Sequence, residues 1–281
     1  MQVSSSLRVK QFALSFALAT LCVACTVPAF AADTDKAWSL LQAGATDKGK
    51  EHREHAVKAL GLMPNNVRAI ELATNALSDQ VPEVRAAAAE ALGHMHAKAA
   101  APKLKQVLEN EKDVAVIMAG ARSLITLGDD SGYDVYFAVL TGEKKSKGGM
   151  LDDQKKMLHD PKKMAQFGFE QGIGFVPFAG IGVDAIRALK KDDSSPVRAA
   201  AARVLAEDPD PDTASALLTA ASDKNWLVRA AALDAIARRN DASLAEKIEP
   251  HLDDPKEEVR FTAAAAIIHL ADGKDGKRKA R

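Results

Sequence analysis

The chain of 281 residues carries 38 Lys plus Arg against 38 Asp plus Glu, a balance that gives no global attraction to nucleic acid or anionic lipid. Both cysteines, Cys22 and Cys25, lie within the first 31 residues, so the rest of the chain holds no disulfide, thiol nucleophile or thiolate metal site. Only 5% of residues are aromatic, a composition suited to closely packed, Ala-rich helices.

Residues 1–31 read as a secretory signal. Arg8 and Lys10 precede an apolar run from Phe12 to Val27, and Ala29-Phe30-Ala31 supplies the small-x-small pattern of a cleavage site. The run is short for a span of about 20 residues and ends at Pro28, which argues against a membrane anchor. The expectation is a bacterial periplasmic or secreted chain cleaved near Ala31. Lipidation at Cys25 is the weaker alternative, because Leu21 stands one place too far from it. Cleavage would remove two basic and no acidic residues, leaving 250 residues with 36 basic against 38 acidic.

An internal repeat follows. The stretches PEVRAAAAEAL (82–92), SPVRAAAARVL (195–205), WLVRAAALDAI (226–236) and EEVRFTAAAAI (257–267) superpose without gaps. Val197, Val228 and Val259 are spaced by 31 residues, while His52 to Leu60 and Val116 to Leu124 are weaker copies 32 residues either side of Val84 to Leu92. Each begins after an Asp-, Ser- or Pro-rich turn and continues with apolar residues at helical spacing. Second helices are expected over Val67–Leu77, Lys103–Leu108, Val135–Leu140, Ala214–Ala221 and Leu244–Leu252. The unit is helix, turn, helix, a pair that hides its apolar face only by stacking on neighbours.

Charged residues share the register. Asp47 and Arg53, Asp79 and Arg85, Asp192 and Arg198, Asp223 and Arg229, and Asp254 and Arg260 all stand six residues apart. An Asp in the turn can accept backbone N–H bonds, and a partly buried Arg can bridge two turns. With these pairs the chain resembles HEAT repeats, especially the short bacterial kind called phycobilisome-lyase HEAT-like repeats, over most of residues 47–271. The resemblance implies an all-α, right-handed α-solenoid of about seven helix pairs with Asp and Arg stacked as a ladder between repeats. It implies a fold and no particular activity.

The register breaks in the middle. The third repeat has Glu111 and Ile117 at the ladder positions, and 81 residues separate Val116 from Val197, where two units would need about 63. Roughly 17 residues are therefore inserted, within GEKKSKGGMLDDQKKMLHD, ahead of a degenerate fourth repeat with Asp160 and Gln166 at the ladder positions. That repeat holds FGFEQGIGFVPFAGIG (167–182), whose glycines would end one helix before Pro177 begins another. It could fill an irregular core at a bend, or dock on a partner or a bilayer through Phe175 and Phe178. The expected organisation is a signal (1–31), N-terminal repeats (32–142), an insertion with the degenerate repeat (143–191), C-terminal repeats (192–271) and a basic tail (272–281), with disorder expected from Lys274 to Arg281.

Candidate chemistry is sparse. His52 and His55 share a helical face, and His94 with His96 follow in the next repeat. Repeat alignment sets His52 at a helix start and His94 past a helix end, about 15 Å apart along parallel helices, so no shared metal is expected. His–Glu motifs in HEAT-like units are similar to those of di-iron deoxyhypusine hydroxylases, yet this chain lacks a set of four. Asp208-Pro209-Asp210-Pro211-Asp212 mimics the start of a calcium loop, but Thr213 replaces the required Gly, leaving a Pro-stiffened turn.

Tyr133 and Tyr136, the only two tyrosines, lie one turn apart beside the basic loop with Lys144 and Lys145. The functional expectation is an exported, non-catalytic scaffold for protein–protein interaction. Its candidate partner-binding residues are Tyr133, Tyr136, Lys144, Lys145, Phe175 and Phe178. No metal or cofactor is expected, and nucleic acid is not an expected partner. Peripheral membrane association through 167–182, and a HEAT-like lyase or metal-dependent enzyme, are the alternatives.

Overall fold

The computed structural model describes residues 33–141 and 194–279, and in both stretches the chain is helical, with no strand among the described residues. The signal segment, Asp192, Lys144, Lys145, Phe175, Phe178 and the degenerate fourth repeat lie outside them. No described helix is long and apolar enough to cross a membrane.

The first stretch contains α1 (Thr34–Ala45), α2 (Lys50–Leu60), α3 (Val67–Ala76), α4 (Pro82–His94), α5 (Ala101–Asn110), α6 (Val114–Thr126) and α7 (Ser131–Thr141). The second contains α8 (Ser195–Val204), α9 (Pro211–Ala220), α10 (Trp226–Arg239) and α11 (Glu257–Lys279). Side chains at the helix starts satisfy otherwise orphaned amides: Asp33 accepts from Lys36 N, Asn66 from Ala69 N, Asp113 from Ala115 N, and Asn225 from Leu227 N. Asn240, with φ 52°, closes α10 in the left-handed region.

Two expectations are corrected. Residues Leu244–Leu252 do not form an α-helix; apart from a turn at Ala245 they lie in 3-10 segments Ala242–Leu244 and Glu246–Asp253, the second containing Pro250, which has no N–H to donate. The tail expected to be disordered from Lys274 continues α11 as far as Lys279. Gly273 and Gly276 disfavour helix there, but the segment extends a helix already nucleated by its packed first half, and its Lys and Arg residues suit a helix C-terminus.

The first helices of the pairs form one continuous stack. α6 packs on α4, α4 on α2, α2 on α11, α11 on α10, and α10 on α8. The last repeat therefore docks on the first, and α1, a helix the repeat pattern did not announce, packs against both α2 and α11 at this seam. The register valines Val84, Val116, Val228 and Val259 are buried, as repeat stacking requires. Val197, on α8, is the exception at 54% exposed.

Small residues allow the close approaches. A Cβ at Gly93 would lie 2.6 Å from the Ser123 Oγ on α6, and that hydroxyl donates to Ala89 O at 2.7 Å, tying α6 to α4. At the seam, a Cβ at Gly44 would lie 2.5 Å from the Phe261 ring, so α1 and α11 meet across a position where only hydrogen fits.

Candidate functional site

The ladder residues build the frame on which any site must rest. Arg53 donates to both carboxylate oxygens of Asp79, at 2.7 and 3.0 Å, and its Nη1 donates to Asp47 O and Lys48 O in its own turn. Arg85 repeats this with Glu111 at 2.7 and 2.9 Å, and Arg229 with Asp254 at 2.7 and 2.8 Å. Arg198 pairs with Asp223. Each carboxylate also accepts from an amide of its own turn: Val81 N on Asp79, Asn225 N on Asp223, Lys256 N on Asp254.

Planar forks of this kind fix register as well as distance. The Arg53 bond holds the Asp79 carboxyl below its ordinary pKa. For Glu111, burial opposes ionisation, but Arg85 and the Asp113 and Lys112 amides outweigh it, so this carboxyl too is lowered. Ile117, where the third repeat lacks an Arg, is buried in the core.

The ladder stops at the seam. Continuing the pattern would set Arg260 on Asp47, but Arg260 donates only to Asp254 O and Pro255 O, and no Arg260–Asp47 ion pair forms among the described residues. Other groups take over. His55 Nδ1 lies 2.8 Å from Glu257 Oε1, and His52 Nδ1 lies 3.0 Å from Glu257 Oε2, so one carboxylate on α11 serves two imidazoles one turn apart on α2. Glu258 stands beside it: ligand atoms of His55, Glu257 and Glu258 all lie within 4.8 Å of one another, and each residue is half-buried. Lys36 pairs with Asp253 at 2.7 Å and Asn66 Nδ2 donates to Asp272 at 2.7 Å, closing the same seam.

His94 and His96 take no part in this cluster. His96 adopts a φ of 54° just past the end of α4, and His94 sits near Glu90, Asp234 and Arg238, where crowding by protein lowers its pKa. In the Pro-rich turn, Asp208 accepts from Asp210 N and Thr213 Oγ1, and Asp210 accepts from Asp212 N. These carboxylates hold the turn that starts α9.

On α7, Tyr133 is 58% exposed and Leu140 85% exposed, with Phe137 also exposed on the same stripe. The spacing of i, i+4 and i+7 places these three apolar side chains along one face. Tyr136 is half-buried, and Val135 packs against the core. Of the six candidate partner-binding residues, the structure thus presents Tyr133 openly and Tyr136 partly, and the other four fall outside the described residues.

The HEAT repeats family model matches residues 33–131 and 184–268. The chain belongs to the HEAT-repeat family. No curated protein matches it significantly. Among solved structures it is similar to human deoxyhypusine hydroxylase in complex with glycerol, at 21% identity over 84% of each chain with a TM-score of 0.30. It is also similar to the complex of CpcE and CpcF of phycocyanin lyase from Nostoc, at 20% identity over 85% of this chain and 93% of that one, with a TM-score of 0.33. At these values neither likeness carries a functional argument.

Proposed function

We propose that this chain is an exported, non-catalytic HEAT-repeat scaffold that binds a protein partner through the exposed face of α7. The observation that carries the reading is the exposure of Tyr133 and Leu140, two large apolar side chains on one helical face at the end of the described stack. Solenoids present extended surfaces of this kind for recognition, and aromatic side chains anchor such contacts. The secretory pattern of residues 1–31 supports export, which places the partner outside the cytoplasm.

A photo-crosslinking residue at position 133 tests the surface in living cells, with one at the exposed position 215 on α9 as control. The expected result is a discrete protein adduct from position 133 alone, lost when Leu140→Glu is added, together with a mature N-terminus at Ala32. Equal adducts from both positions, or none from 133, would overturn the binding surface. A chain retained in the cytoplasm with residues 1–31 attached would overturn export.

A further inference from the structure

We infer that His55, Glu257 and Glu258 form a site for one divalent transition-metal ion that clips the last repeat to the first. The three residues offer an imidazole nitrogen and two carboxylate oxygens within 4.8 Å of one another. A metal ion with bonds of about 2.0–2.2 Å draws its ligand atoms to within about 3.5 Å, which requires only small side-chain rotations from the present arrangement. One imidazole with two carboxylates suits zinc, manganese, cobalt or ferrous iron, whereas calcium and magnesium sites are built from oxygen alone.

Two further features of the seam point the same way. Every other described junction between successive first helices within a run places an Arg on a carboxylate; here Arg260 makes no such pair, and the Glu257 carboxylate meets two imidazoles instead, with Glu258 beside it. Two carboxylates thus meet at the seam with no Arg ion pair on either among the described residues, and a dication supplies what the missing rung does not. Glu258 makes no side-chain hydrogen bond or ion pair with a described residue, leaving its oxygens available, and its backbone oxygen is held by Thr262 Oγ1 at 2.6 Å.

His52, bonded to Glu257 Oε2 at 3.0 Å, orients that carboxylate from outside the ligand set. Binding at His55 Nδ1 requires the tautomer with the proton on Nε2, so the present His55–Glu257 hydrogen bond is exchanged for two bonds to the metal. The fourth position is open to water. The ion would join residues 202 apart in sequence, at a junction that chain connectivity does not enforce.

The test is a titration of the untagged, metal-stripped mature chain with cobalt(II), read by visible d–d absorption, followed by displacement with zinc(II). The expected result is one cobalt per chain with a ligand-field band, and a melting temperature raised by about 5–10 °C at a hundredfold excess over Kd. Glu258→Gln is expected to weaken binding by more than the roughly 10–100-fold typical of outer-shell changes while leaving the metal-free melting temperature unchanged. His55→Asn should do the same to affinity, and His94→Asn should not. A featureless titration, or wild-type affinity in Glu258→Gln and His55→Asn, would overturn the site.

Discussion

Breaking the second rung of the ladder tests whether these forks hold the repeats in register. Arg85→Ala removes two bonds to Glu111, at 2.7 and 2.9 Å, and two to Asp79 O and Gln80 O. The Glu111 side chain is only 6% exposed, so its charge would be left without a counterion in a poorly solvated place. Breaking a buried pair on one side costs about 3–5 kcal/mol. The lower end applies here, about 3 kcal/mol, because Glu111 still accepts from Lys112 N and Asp113 N.

Urea unfolding followed by circular dichroism, applied to Arg85→Ala, Glu111→Gln and the double variant, isolates the pairwise part, expected at about 2 kcal/mol. The pH dependence has a defined sign. Glu111 has a lowered pKa in the folded chain, so the stability it contributes is present above its unfolded pKa and is lost as pH falls through the folded value. The stability gap between wild type and Arg85→Ala should therefore narrow in acid. A coupling under about 0.5 kcal/mol, as exposed pairs give, would refute the reasoning.

Gly93→Ala gains roughly 1 kcal/mol of helix propensity but forces a Cβ against Ser123, and overpacking of about 1–3 kcal/mol should leave the variant with a lower melting temperature, recovered in part by Ser123→Gly. Phe261→Ala, which empties the ring that faces Gly44, should cost about 3 kcal/mol and raise amide exchange in α1 before it does so in α6. Asp129 bonds Lys105 and Ser131, which lower its pKa to about 2. Carboxyl NMR should show it ionised well below the usual Asp range, with the pKa raised part of the way back by Lys105→Ala, because both Ser131 bonds remain. Its contribution to stability is present above the unfolded Asp pKa and fades as pH falls toward the folded value.

Most of the ladder was legible because its grammar is local. An Asp and an Arg six residues apart recur with the repeat, and a constant repeat length makes the rung to the next turn, 25 or 26 residues on, equally regular. Glu111 entered that ladder as the acceptor for Arg85, although its own repeat has Ile117 where an Arg would stand. The apolar stripe of α7 is only half legible: the sequence marks Tyr133 and Tyr136, but Leu140 is the more exposed member, and its helix begins earlier than the pattern suggests.

The seam was not legible. His52 and His55 share a helical face in the sequence, but the nearest histidines along the repeat are His94 and His96, not a partner on the last helix. Glu257 and Glu258 read as ordinary acidic residues in the first turn of a helix. Sequence periodicity by itself determined an all-α stack of helix pairs, because burial at a fixed period and capping of a turn are properties of a few dozen neighbouring residues. Only the tertiary structure decided that the final repeat docks on the first. That choice depends on the fit of two terminal faces, Phe261 into the space at Gly44 and Glu257 onto two imidazoles, whose residues lie some 200 positions apart and follow no common period.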